Sequence, residues 1–476
     1  MLTQIVKHEW RNLNADRTLW WIILILAVAI SYGVYNGTSW VAFLEGTIEV
    51  ALQEEHDRLA KAQHTVANGL DPERASRSPY SARYIGRRMG LRYAYLPPGP
   101  LASLSVGQSD LYPSYFLVNT QATQRQKRHS ELENPNHLLE SRFDLAFVTV
   151  YLFPLLILAL TYNLISSERE QGTLAMVLSQ PVSLRKFVVG KVGFRALMAL
   201  TLVIGFSILA FLLNGVNLFG MGTTLKLLLW ISIVIVYSAF WFGLALAVNT
   251  IGRSSATNAI ILTSLWLVFV VLVPSVVNLL VKTLHPVPSR VEYIVAMRDA
   301  SMNARAEEAQ LLSIFYEDHP ELLSEDEQSH TENFDTLQWA AEMKVEESMQ
   351  PVLNRFNKQL AKQQTQVNRL RFLSPAIVTQ EALNEIAGTG PTRFRHFMSI
   401  VDAFHEEWRT YFVPKIFALH EMTGPDFDEI PDYTYLEDPE DRIANRILVA
   451  LVGMIIPTLG VFIVGFSRIR HYPLNG

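Results

Sequence analysis

The sequence predicts an all-α polytopic membrane protein: six transmembrane helices with a mostly helical extracytoplasmic domain built from two long loops. Three observations lead there. Half of the 476 residues are hydrophobic although 18% are charged, so the two kinds must be segregated along the chain. The apolar residues gather into six blocks, each close to the roughly 20 residues that a helix needs to cross a bilayer. The Lys and Arg of the short connections fall on one side of the resulting topology.

Residues 1–18 are a short polar segment with Lys7, Arg11 and Arg17. The first span follows at Leu19–Tyr35. A signal peptide has the same charged start, but this block is long and Ser31-Tyr32-Gly33-Val34-Tyr35 is a poor small-residue cleavage site, so an uncleaved helix is expected. Residues 36–144 form the first long polar stretch. Its amphipathic opening, Val41 to Val66, continues the first helix outward, and a turn at Gly69-Leu70-Asp71-Pro72 follows. Then come a break at Pro97-Pro98-Gly99-Pro100 and an irregular aromatic stretch, Leu111–Leu117. Spans two to five are placed at 145–165, 196–213, 227–248 and 259–281. Residues 282–446 form the second long stretch, read as helical from two apolar stripes at three- and four-residue spacing. One is Met349, Val352, Phe356 and Leu360; the other is Phe397, Ile400, Phe404, Trp408 and Phe412. Gly388-Thr389-Gly390-Pro391 separates two of these helices. Such stripes ordinarily bury themselves in a helical core. The sixth span is 447–466, and 467–476 is the C-terminal tail.

Six spans put both ends on one side. Arg169, Arg185, Lys186, Lys191, Arg195, Arg253, Arg468 and Arg470 share that side with the N-terminal cations, while the connection 214–224 is uncharged. Both termini are therefore expected in the cytoplasm and both long stretches outside. Trp20, Trp21, Trp40 and Trp230 near span ends suit an interfacial belt of aromatics contacting lipid.

The chemistry is sparse. The phosphate-cradling pattern G-x-x-x-x-G-K-[ST] is absent: Gly190-Lys191 is followed by Val192, and Arg185 stands at the leading position. ATP coupling, if present, belongs to a separate subunit. The net charge of −5 gives no reason to expect nucleic acid. With no cysteine there is no disulfide, thiolate nucleophile or Cys-based metal site. His396, Asp402, His405 and Glu406 cluster along one helix, but their spacing fits no metal motif. No G-x-S-x-G occurs. No catalytic residue and no metal ligand is assigned. Polar residues within the spans, such as Asn163, Ser207, Ser238 and Asn278, are mild, and no charge is placed deep in a span, unlike a proton relay. Pro154, Pro274 and Pro457 lie inside spans and must be tolerated by neighbouring helices or act as hinges.

The most informative segment is 166–195. Ser166 or Ser167 is expected to cap a short helix with Glu168 and Glu170 in its first turn. Gly172 interrupts it, Leu174, Met176, Val177 and Leu178 supply an apolar face, and Gln180-Pro181 ends it. On these residues alone the segment is a short amphipathic helix along the membrane surface.

The order of a span, then Glu168-Arg169-Glu170-Gln171-Gly172-Thr173-Leu174, then Leu178-Ser179-Gln180-Pro181-Val182-Ser183 and Lys186 and Lys191, resembles ABC-2-type transporter permeases. In that family E-x-G-T-L…L-x-S-x-P-V-S precedes the third helix. The resemblance extends over the six-helix layout. The long outer insertions are similar to those of a subgroup, where Leu373-Ser374-Pro375 and Ala387-Gly388-Thr389 are also found. It implies a coupling helix docking on an ABC ATP-binding subunit, with Glu168, Glu170, Gly172, Thr173 and Leu174 as the contact residues. It further implies that ATP and Mg are bound by that partner and no cofactor by this chain. A second permease copy or a paralogue, a bacterial inner-membrane location and export complete the expectation. The alternative is an ATP-driven transducer that moves its outer domain against a periplasmic partner.

Overall fold

The computed structural model describes residues 2–15, 17–68, 80–121, 143–180, 183–220, 222–286, 289–306, 317, 334–418, 420–470 and 472. Six of its helices are long and apolar enough to cross a membrane. The expected turn at Gly69-Leu70-Asp71-Pro72 lies outside the described residues.

A single helix, Arg17–Asn68, contains the first span and the amphipathic segment beyond it. It is preceded by a separate amphipathic helix, Leu2–Ala15. The third helix runs Leu184–Leu213, a dozen residues longer than its apolar block. Its first turns therefore carry Lys191 and Arg195, both buried, which corrects the expectation that no charge is embedded in a span. The apolar block had to stop at Arg195; the helix does not, because other elements neutralise these cations. The fourth and sixth helices, Thr223–Asn249 and Glu440–Ile469, pack closely along each other. The aromatic belt is also corrected. Trp20 and Trp21 are exposed, but Trp230 is fully buried edge-on to Phe211, and Trp40 is buried with its indole donating to Ser109 Oγ at 2.9 Å. Both indoles serve packing within the protein rather than contact with lipid.

Spans two and five are interrupted by π-helical turns, Val148–Leu152 and Leu267–Leu272. The α-helical segments Phe153–Thr161 and Val273–Leu284 then resume with Pro154 and Pro274 in second position. Proline has no N–H, so it leaves an upstream carbonyl without its helical partner. In hydrocarbon that carbonyl must be satisfied by a neighbour. Val150 O accepts from the Tyr237 hydroxyl at 2.8 Å, and Tyr151 O from Trp266 Nε1 at 3.2 Å.

The two long stretches build one outer domain on the face opposite the termini. Strand β1, Arg92–Tyr95, pairs antiparallel with β2, Tyr115–Val118, matching Arg92 to Val118 and Tyr95 to Tyr115. The strand pair replaces part of the irregular stretch expected at Leu111–Leu117; four residues are too few for a period-two pattern to show. The second stretch supplies Arg290–Ala306, Phe334–Leu370, Pro375–Ala387, Pro391–Phe417 and the short Gly424–Asp428. Phe397, Phe404, Trp408 and Phe412 of the second stripe are buried with Ala94, Phe116 and Val118 of the first stretch in one core. The first stripe is more exposed: Met349 is buried but Leu360 faces out. The two stretches are also joined by Ala82 N to His420 O at 3.0 Å and Trp408 Nε1 to Gly86 O at 3.1 Å.

Helix Pro375–Ala387 differs from the rest of the outer domain. Ala376, Val378, Ala382, Leu383, Ile386 and Ala387 are buried in the same apolar cluster as the membrane helices. The helix packs on spans four and six and on both π-helical turns. It ends at Gly388, whose φ of +74° makes the left-handed cap that a Cβ would strain.

Two measurements probe this architecture. Tyr237→Phe should cost about 1–3 kcal/mol by orphaning the buried Val150 carbonyl, read as a lower thermal midpoint in lipid nanodiscs. In the outer domain, burial works against the charge of Asp426, but Lys415 at 2.7 Å, the Thr423 hydroxyl and amide, and His420 hold its carboxyl well below the usual range. A depressed folded-state pKa contributes stability above the unfolded value of about 4, and that contribution is lost as pH falls toward the folded value. Asp426→Asn should therefore lower stability at neutral pH and flatten its fall on acidification.

Candidate coupling segment

Span two ends at Thr161, and the chain turns through Tyr162–Ile165 into two short helices, Ser166–Glu170 and Leu174–Leu178. Neither serine caps the first. The capping position is Ile165, without a side-chain hydrogen bond, and Ser166 is buried with its hydroxyl 2.8 Å from Ser255 Oγ. The local sequence favoured a serine cap; the contact with the first residue of the span-five helix takes the hydroxyl instead. Between the helices Gly172 has φ +71°, the left-handed conformation that reverses the chain there. Pro181 and Val182 of the motif lie outside the described residues.

Glu168 and Leu174 point inward. Glu168 Oε1 is paired with Lys191 Nζ. Lys191 also meets Glu9 Oε1 at 3.2 Å, and Glu9 Oε2 accepts from Arg195 Nε at 2.9 Å. Arg195 further donates to Leu160 O and, at 3.2 Å, to Asn163 Oδ1. Glu9 and Lys191 are each only 1% exposed, so these charges are desolvated and depend on one another. Burial alone would raise the Glu9 carboxyl; Arg195 and Lys191 overcome it and hold Glu9 below the usual range. The four charges cancel. They tie the N-terminal helix, the third span and the segment after span two into one cluster. Leu174 is buried with Leu164, Ile165, Phe187, Val188, Leu246, Ile469 and Tyr472, which adds the ends of spans four and six.

Arg169 and Glu170 reach in another direction. Arg169 donates to Gly252 O at 2.6 Å and Arg253 O at 3.0 Å. Glu170 accepts from the amide of Ser255 at 2.6 Å and its hydroxyl at 2.9 Å. Ser255 is the first residue of the span-five helix, so the carboxylate sits at a helix N-terminus, where negative charge is favoured. Thr173 turns back on its own segment, its amide and hydroxyl both donating to Glu168 O at 2.9 and 3.2 Å.

The five residues expected to meet a partner thus divide. Glu168, Thr173 and Leu174 hold the segment to the bundle. Glu170 is exposed yet engaged with span five. Gly172 alone is exposed with open space where a Cβ would stand. The outward lip consists of Gln171, Gly172, Ala175, Met176, Ser179 and Gln180, with Met176 71% exposed. Of these only Gly172 was among the expected contact residues, although Ser179 belongs to the quoted motif; Met176, expected on one apolar face with Leu174, instead points away from it. Their signal was the four-residue spacing of Ala175 and Ser179, and of Met176 and Gln180, opposite Leu174 and Leu178. In the outer domain, His405 Nε2 lies 2.7 Å from Gln121 O and His396 Nε2 2.9 Å from Leu436 O, so the two histidines address different carbonyls rather than a shared centre.

Residues 114–284, which hold spans two to five and this segment, match the family model of ABC-2 family transporter proteins. Residues 290–436 match a domain of unknown function, DUF3526. No curated protein matches the chain. The chain is a multi-pass membrane protein, and the match supports a membrane permease of an ABC transporter.

The charge cluster makes a direct prediction. Glu9→Gln leaves two buried cations undercompensated and should cost about 3–5 kcal/mol, whereas the double change Glu9→Gln with Lys191→Met should recover part of the loss. Thermal unfolding of both variants in detergent checks it.

Proposed function

We propose that this permease is the transmembrane subunit of an ATP-driven ABC-2-type exporter in a bacterial inner membrane, with both termini in the cytoplasm. Its partners are an ABC ATP-binding subunit, which binds the ATP and Mg, and a second permease copy or paralogue. The single observation that carries the reading is the coupling segment: an exposed lip backed by side chains that hold the ends of the other helices. A push on Met176 and its neighbours passes through Glu168 to the third span and the N-terminal helix. It passes through Arg169 and Glu170 to the loop before the fifth span, and through Leu174 to the ends of the fourth and sixth. The ATP-binding subunit shifts the permease only insofar as its affinity differs between the inward- and outward-facing states. The contact residues on that subunit's side are then the lip, while Glu168, Glu170, Thr173 and Leu174 transmit.

A second reading is favoured by one specific observation. Helix Pro375–Ala387 of the outer domain is buried among the membrane helices. That is a mechanical joint, and it suits a transducer that moves its outer domain against a periplasmic partner.

The test is ATPase turnover of the chain reconstituted in lipid with its ATP-binding subunit. Met176→Asp should weaken co-purification roughly tenfold, the scale of one lost apolar anchor. Glu170→Arg should leave the complex assembled and abolish the permease-dependent change in turnover. A well-folded chain that neither binds the subunit nor alters its turnover would sink the proposal.

A further inference from the structure

Among the groups that grip span five from other elements, two stand out, one at its inner end and one near its middle. At the inner end Glu170 takes the amide and hydroxyl of Ser255. Further out lies the π-helical turn Leu267–Leu272. There the amide of Val273 donates to Val268 O, five residues back. The same pattern would give Phe269 O the amide of residue 274, which is Pro274 and has none. The donor that Phe269 O receives comes from outside the membrane helices: the hydroxyl of Ser374.

Ser374 is fully buried and is the N-cap of helix Pro375–Ala387, accepting from the amides of Ala376 and Ile377 at 3.2 and 3.4 Å. A hydroxyl has one proton and two lone pairs. Here the proton closes the hole in span five while the lone pairs start a helix of the outer domain. Backbone breaks flank the helix: the 3-10 turn Arg371–Leu373 before it and the Gly388 cap after it. Span five is also the least embedded of the six, 17% buried against 67% for span two; its other ties include Trp266 to Tyr151 O, Asn258 to Asn249 Oδ1 and the packing of Val273–Leu284 on Phe334–Leu370.

We propose that span five is a push rod and Ser374 the positioning residue that fastens the outer domain to it. Phe269 is fourteen residues from Ser255, about 21 Å along the helix and near the middle of the span, so a displacement received at Glu170 is delivered to Ser374 within the membrane. The inference rests on the permease reading, because the ATP-binding subunit supplies the displacement. It deepens that reading by naming the route from the segment to the outer domain.

The chain contains no cysteine, so labels can be placed at will. Spin labels at Lys282→Cys on span five and Arg395→Cys on the outer helix report the joint. Labels at Leu213→Cys and Arg395→Cys report movement of the outer domain against span three. Distances are measured in nanodiscs with the ATP-binding subunit, nucleotide-free and ATP-trapped. With Ser374 intact, the 282–395 distance should stay constant while the 213–395 distance shifts on trapping. In Ser374→Ala the 282–395 distance should become nucleotide-dependent and the 213–395 shift should shrink, while ATP turnover persists. Ser374→Thr, which keeps the hydroxyl, should restore both. Pro274→Ala is the second variant: it supplies the missing amide within span five, competes with Ser374 for Phe269 O, and leaves the helix cap in place. It should reproduce the loosening even where Ser374→Ala fails to fold. If both variants keep the unsubstituted pattern of distances, the joint does not run through Ser374 and the proposal falls. If a label at Met176→Cys shows no response to nucleotide in the unsubstituted chain, the permease reading itself fails, and the push rod with it.

Discussion

A backbone carbonyl inside a bilayer must find a donor within the protein, because hydrocarbon offers none. Much of this structure follows from how that demand is met at two prolines. Pro154 and Pro274 each withhold an amide, and each helix answers with a wider turn. Beside these prolines the carbonyls of Val150, Tyr151 and Phe269 accept from Tyr237, Trp266 and Ser374 of three different elements. A deficit in secondary structure has become a set of tertiary links. Those links bind span two to spans four and five, and span five to the outer domain.

At the inner face the binding force is charge rather than backbone. Glu9, Glu168, Lys191 and Arg195 would each be costly to bury alone. Together they are neutral, and the N-terminal helix is required to complete the balance. The segment after span two is consequently not a free-standing amphipathic helix resting on lipid. Its inward side chains are committed to the bundle, and only a narrow outward lip remains for contact. A motif that repeats across a family need not mark the residues that touch a partner. Here Glu168 and Leu174 lie on the inward side, committed to the bundle.

Much of the fold was legible because its signals are long. Six apolar blocks, a continuous amphipathic run after the first of them, and the Phe397–Phe412 stripe each extend over many residues, enough for periodicity to show. The Gly388-Thr389-Gly390-Pro391 break was readable because Gly and Pro punctuate chains locally. What escaped the sequence depends on partners distant along the chain. Lys191 and Arg195 ended the apolar block of span three because nothing nearby reveals that Glu9 neutralises them. Ser166 looked like a cap because its contact with Ser255 is 89 residues away. The strand pair escaped because Tyr115–Val118 is shorter than the pattern that would betray it. Ser374 was visible only as part of Leu373-Ser374-Pro375; its second role required the carbonyl of Phe269.

The helix Arg17–Asn68 that contains the first span is unusually long. Its 52 residues make a rod about 78 Å long, well over twice the thickness of a bilayer core. A rod of that length is a lever. A tilt of about 5° about its inner end would carry the far end through roughly 7 Å, more than one turn of helix. Small angular changes among packed membrane helices are therefore geometrically amplified at the height of the outer domain, where this helix packs against strand β1 and helix Gly424–Asp428.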